Sequence, residues 1–216
     1  MRGHLPAVSV SAAETIAELR ASLTNGTKAK AEPELTASHI QKQHQPVPVL
    51  DVVAKNGFLV DCCRGQVVVD VGASGYVSEQ IRAVAKTYYG LNRTASDGVE
   101  AIDLDAYDAV LPPHPDATVV VCGEVLEHLS NPGWLLDRLK RAYPVLTLVT
   151  VPNAFSEVGL FWLNKGIENV NREHVAYYSY HTITGLLTRH GYRVERVAWY
   201  RGHPKFAEGL VVVAHG

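Results

Sequence analysis

Glu124, Glu127 and His128 stand at positions i, i+3 and i+4 of the stretch Cys122-Gly-Glu-Val-Leu-Glu-His-Leu-Ser-Asn-Pro132. In a helical turn, residues so spaced project from one face. Two carboxylates and an imidazole converging at a strand end suit a hard or borderline divalent ion such as Mg²⁺, Mn²⁺ or Zn²⁺. His174, in Arg172-Glu-His174, is a candidate fourth ligand. A metal there would lower the pKa of a bound hydroxyl and fix its angle to an incoming group. Two other readings stand beside this one. His128 can act as a metal-free general base, with His174 the second catalytic candidate, or the loop is hydrogen-bonded and purely structural.

A second constellation lies upstream, in Gln66-Val-Val-Val-Asp-Val-Gly-Ala-Ser-Gly-Tyr76. Four valines around one acid make a short buried strand. Gly72, Ala73, Ser74 and Gly75 make a tight turn, and a helix follows over 77–86. Such a unit presents backbone N–H groups and a helix N-terminus to a polar ligand, with glycine where a Cβ would collide. Asp70 repels nucleotide phosphates but tolerates a cationic or hydroxyl-bearing ligand. A plain strand–helix turn is the alternative.

These residues need elements to position them. After the glycine turn, strands are predicted over 87–91, ending at Asn92, over 99–102, ending in Asp103-Leu-Asp105, and over 117–122. The last of these is apolar throughout, as a strand buried on both faces must be. A helix over 134–142, a strand over 145–151 stopped by Pro152-Asn153, and a helix over 180–190 closed by Gly191 follow. Strands over 194–200 and 210–214 end the chain. The alternation implies an α/β fold with a Rossmann-like, doubly wound, seven-stranded sheet, with ligands at the strand C-terminal ends. Because no helix separates the final pair, the last strand should be antiparallel. Upstream, 49–62 reads as a helix. Residues 1–48 read as an arm, with a helix over 11–23 and a polar linker over 27–48 that either covers a substrate site or has no catalytic part.

Composition excludes several classes. A formal net charge of -2 gives no basic field for nucleic acid, so none is expected as partner, and no membrane attraction is expected either. No run approaches the roughly 20 apolar residues that span a bilayer. The N-terminus lacks an apolar signal core, and three cysteines, two of them adjacent, make no disulfide framework. A cytoplasmic setting is expected.

Residues 122–132, Val149-Thr-Val-Pro-Asn153 and Arg172-Glu-His-Val-Ala-Tyr-Tyr-Ser179, in that order, join the glycine turn in resembling the class I S-adenosylmethionine-dependent methyltransferases. The resemblance covers 49–216. That family's first motif is Asp-x-Gly-x-Gly-x-Gly; here Ser74 replaces the second glycine and Gly75 comes one place early. The resemblance implies S-adenosylmethionine bound by Asp70, Gly72, Ala73, Ser74 and Gly75, with Asn92 where the family places an acid for the ribose hydroxyls. It implies Asp103 near the adenine amine, Leu104 against the ring, and Cys122 and Gly123 along the methionine part. The subgroup includes small-molecule and sugar O-methyltransferases. Its ubiquinone-pathway members carry a similar metal-binding Glu-x-x-Glu-His, and small-RNA 3′-terminal 2′-O-methyltransferases add a later histidine that His174 matches.

The expected function is therefore methyl transfer to an oxygen of a small biosynthetic, sugar or quinone-like acceptor. Two rivals remain: a metal-dependent RNA 2′-O-methyltransferase, and a non-catalytic cofactor-binding partner subunit. His174, Tyr177 and Tyr178 either wall the acceptor pocket or lead into the following helix. The segment 155–167, with Phe161 and Trp162, is either a lid or a patch for a second subunit of a homodimer.

Overall fold

The computed structural model describes residues 47–48, 50–201 and 207–216. The expected helix over 11–23 and nearly all of the linker lie outside them. In chain order the elements are β1 (Val52–Val53), α1 (Lys55–Cys63), β2 (Val67–Val71), α2 (Gly75–Val84), β3 (Thr87–Asn92), β4 (Val99–Ala101) and β5 (Val119–Gly123). After β5 a single 3-10 turn (Leu126–His128) leads to α3 (Pro132–Ala142), β6 (Leu146–Pro152), α4 (Glu157–Leu163), α5 (Tyr180–Arg189), β7 (Arg193–Tyr200) and β8 (Gly209–His215).

The strands form one sheet in the order β1-β7-β8-β6-β5-β2-β3-β4. Every pairing is parallel except those of β8, which runs antiparallel to both β6 and β7. The expected antiparallel ending is present, but the sheet has eight strands, not seven. The extra strand is β1, where a helix had been expected from residue 49. Val52 and Val53 pair with Trp199 and Tyr200, and the helix starts only at Lys55.

Alternation along β5 shows why the sheet is covered on both faces. Val119 and Val121 pack with Leu59, Cys63 and Ile81 from α1 and α2. Val120 and Cys122 pack with Leu135, Leu139, Ile183 and Leu187 from α3 and α5. Side chains of a strand point alternately to opposite faces, so a strand apolar at every position needs helices on both. The ends of α3 and α5 are set by their caps. Asn131 accepts from the Trp134 N–H ahead of Pro132, and Ser179 and Thr182 form a reciprocal capping box. The chain leaves β2 toward β3 on one side and reaches β5 on the other, so the crevice between β2 and β5 is the point at which ligands bind in such sheets. No helix among the described residues is long and apolar enough to cross a membrane.

Candidate active site

The glycine turn closes at the end of β2 with Gly72 and Gly75 both at positive φ. Its amides do not all face a ligand, contrary to expectation. Gly72 and Ala73 donate to the Leu91 carbonyl at 2.8 and 3.0 Å, and Ser74 donates to the Ser78 hydroxyl at 3.0 Å. Glycine at 72 is needed for its positive φ and for packing, because a Cβ there would collide with Cγ2 of Val125. Asn92 completes the turn. Its Nδ2 donates to the Ala73 carbonyl at 3.0 Å and its Oδ1 accepts from the Arg93 N–H at 2.8 Å. A carboxylate here could not make the first bond, which gives a physical reason for an amide in place of the usual acid.

A cavity of about 330 Å³ opens against this turn. Gly72, Ser74 and Asn92 from the turn, Asp103 and Leu104 from the loop after β4, and Val125 and His128 from the segment after β5 all line it. Its lining mixes the apolar Ile102, Leu104, Val125 and Leu129 with amide, acid and imidazole groups, a combination that fits a nucleoside. Asp103 sits on the cavity wall and accepts from the Asp105 N–H at 3.1 Å. Asp105, missed as a site residue, accepts from both the N–H and the hydroxyl of Ser130 at 2.8 Å, tying this loop to the one after the 3-10 turn.

A smaller adjoining cavity, about 200 Å³, shares Gly72, Ser74 and Glu124 with the first and adds Lys55, Asp70, Gly123 and Thr150. Asp70 is 4% exposed and accepts from the Tyr88 hydroxyl at 2.8 Å. Burial pushes its carboxyl above the ordinary range, partly offset by hydrogen bonds from Ser78 and Tyr88. Cys122 lines neither cavity. It is fully buried in the core, where burial, then Glu127 and Asp70, push its thiol up.

Glu124 departs from the expected metal face. At the end of β5 it takes a left-handed backbone, φ 55, so it lies outside the turn that carries Leu126–His128 and points elsewhere. Its Oε1 accepts from Thr150 at 2.7 Å and Tyr200 at 2.9 Å, and stands 3.5 Å from the Lys55 ammonium. The ligand set that remains close is Glu127, His128 and His174, whose ligating atoms all lie within 4.8 Å of one another.

Distant backbone contacts assemble this group. Val175 and Ala176 donate to the Glu127 carbonyl at 2.8 and 3.2 Å, the Tyr178 hydroxyl donates to the Leu126 carbonyl at 3.2 Å, and His128 Nδ1 lies 3.2 Å from the Glu173 carbonyl. The two rings meet edge to face at 4.6 Å. Glu127 is only 1% exposed and neither carboxylate oxygen has a partner. Burial, with a smaller contribution from Glu124, pushes its pKa up to about 8. Burial and the neighbouring His128 lower that of His174, which favours the neutral, ligating form. His128 lines the 330 Å³ cavity, while His174 and Tyr177 line another of about 280 Å³ beside α4. Tyr178 instead is buried in the core.

The Methyltransferase domain family matches residues 25–197. The chain belongs to that family. It is a class I S-adenosylmethionine-dependent methyltransferase. The fold is similar to that of an S-adenosylmethionine-dependent methyltransferase from Mesorhizobium loti, at 16% identity and TM-score 0.53, over 76% of this chain and 98% of that one. It is similar also to magnesium protoporphyrin IX methyltransferase from Synechocystis PCC 6803 with bound S-adenosylhomocysteine, at 15% identity and TM-score 0.55, over 93% and 94% of the two chains. The small RNA methyltransferase HEN1 is 14% identical with TM-score 0.56, over 95% of this chain and 31% of its own. No curated protein matches the sequence. In this methyltransferase the paired cavities at the β2–β5 crevice fit the cofactor: the larger one its nucleoside, the smaller one its amino-acid end.

Proposed function

We propose that this methyltransferase acts on an oxygen of a small-molecule acceptor, with Glu127, His128 and His174 holding a divalent metal ion beside the acceptor. The observation that carries the reading is Glu127. An ionised carboxylate with both oxygens buried and unpartnered is costly, and the cost is relieved by protonation or by a cation. Two imidazoles within ligating reach favour the cation, and an N₂O donor set suits Mn²⁺ or Zn²⁺ at least as well as Mg²⁺.

S-adenosylmethionine, when bound, supplies an already activated methyl group. The protein's task is then to align and desolvate the acceptor and to unmask its oxygen. The 280 Å³ cavity supports a place for the acceptor's body, with Leu160, Leu163 and Tyr177 giving apolar wall and His174 facing it from the metal group. The ion would polarise the hydroxyl there; without one, His128 or His174 would take the proton. Among the described residues lining that cavity, Glu168 and Glu208 are charged and no Lys or Arg appears, which favours a small neutral or cationic acceptor over the phosphates of RNA. We place the enzyme in the cytoplasm on composition alone, and a second subunit over the exposed Phe161 and Trp162 stays part of the proposal.

The test is a turnover assay of metal-stripped enzyme on catechol, hydroxyquinone and sugar hydroxyl acceptors, on their amine analogues and on 3′-terminal RNA, with and without Mn²⁺. Methylation of a small hydroxyl acceptor that needs the added ion supports the proposal. Turnover confined to amines or RNA contradicts it.

A further inference from the structure

Lys55 opens α1 and lines the 200 Å³ cavity, and it is the only Lys or Arg among that cavity's described lining residues. Its place is fixed by the chain that leads into it. The β1–β7 pairing pins Val52 and Val53 just upstream, and the Trp199 N–H donates to the Asp51 carbonyl at 2.8 Å. The ammonium lies 3.5 Å from Glu124 Oε1 and 4.8 Å from the centre of the Tyr200 ring, with the Lys55 side chain 21% exposed.

The rest of the wall is acidic or neutral: Asp70, Glu124, Gly72, Ser74, Gly123 and Thr150. An incoming carboxylate would be repelled by Asp70 and Glu124 unless a cation met it. The turn offers little help, because the Gly72, Ala73 and Ser74 amides are already bonded within the protein. The Lys55–Glu124 pair, by contrast, has opposite charges side by side, as the α-amino-acid end of the cofactor does. Glu124 is held in place independently by Thr150 and Tyr200, so it can exchange Lys55 for another ammonium without moving.

We infer that Lys55 binds the carboxylate of the cofactor's amino-acid end while Glu124 takes its ammonium, the zwitterion replacing the resting Lys55–Glu124 pair. This rests on the assignment of the two cavities to S-adenosylmethionine. It gives Lys55 a binding role that no motif in the sequence marks. It also gives Glu124 a role other than metal ligation.

Calorimetric titration of S-adenosylhomocysteine and of 5′-deoxy-5′-methylthioadenosine, which lacks the amino-acid end, tests the inference on wild type, Lys55→Met and Lys55→Arg. Lys55→Met should weaken S-adenosylhomocysteine about tenfold or more, as loss of a charge-assisted bond does, and leave methylthioadenosine unchanged. Lys55→Arg should keep most of the affinity. Equal weakening of both ligands, or no weakening of either, overturns the inference. Wild type binding both ligands equally also overturns it while leaving the nucleoside cavity intact. Wild type binding neither ligand overturns the cavity assignment, and the inference with it.

Discussion

The ligating atoms of Glu127 and His174 come within 4.8 Å because the Glu127 carbonyl accepts two N–H groups, from Val175 at 2.8 Å and Ala176 at 3.2 Å. The main chain of one candidate ligand thus holds the segment that carries another. A side chain on either can be changed without removing the contact that joins them, which makes the group accessible to mutation.

Removing His174 or His128 should lower divalent-ion affinity by more than the roughly 10- to 100-fold that loss of a supporting group costs. Glu124→Gln should change it little, since the Glu124 carboxylate lies on Thr150, Tyr200 and Lys55. Mn²⁺ titration of the three variants checks this. A Glu124→Gln loss as large as that of His174→Ala would restore Glu124 to the ligand set.

Glu127 gives the metal-stripped protein a pH-dependent stability. Its folded pKa, about 8, lies above the ordinary 4.5, chiefly because of burial. A raised folded value means stability is fully present below the unfolded value and is lost as pH rises through the folded one. Melting temperature should therefore fall between about pH 5 and pH 9 in chelator. Glu127→Gln should remove that slope and be more stable at pH 9 by roughly 2–4 kcal/mol. A slope unchanged in the variant would contradict the assignment.

Asn92→Asp, although it installs the acid usual in the family, should weaken S-adenosylhomocysteine binding by about tenfold. The new carboxylate would face the Ala73 carbonyl that Asn92 now donates to, and the turn would lose its brace. Tighter binding in the variant would show that the ribose contact matters more than the brace.

Gly72→Ala should destabilise the fold by about 1–3 kcal/mol, because a Cβ at positive φ also meets Val125 at 2.3 Å. Adding Val125→Ala should recover the part due to the clash and leave the backbone part. Denaturant melts of the single and double variants separate the two. Additive losses would mean that Val125 is not what Gly72 avoids.

Local signals made most of the fold legible in the sequence. The all-apolar β5, the Ser179 cap and Gly191 after α5 each carry their own evidence in consecutive residues. Edge strand β1 had none: two valines become a strand only through Trp199 and Tyr200, far along the chain. The site failed in a similar way. The i, i+3, i+4 spacing assumed one continuous helical turn, and a single left-handed φ at Glu124 turned that side chain away. His128 and His174 are legible as candidates because imidazole is chemically marked, and the fold brings the two rings together. Lys55 and Asp105 matter through contacts that only the folded chain creates.

A crystal of the protein grown with S-adenosylhomocysteine and Mn²⁺, with anomalous data collected, tests both the cofactor site and the metal site at once. The nucleoside should lie among Asn92, Leu104 and Val125, with one anomalous peak bonded to Glu127, His128 and His174. Cofactor bound there with no peak at those three residues would contradict the metal assignment. Cofactor bound away from the β2–β5 crevice would contradict the site itself.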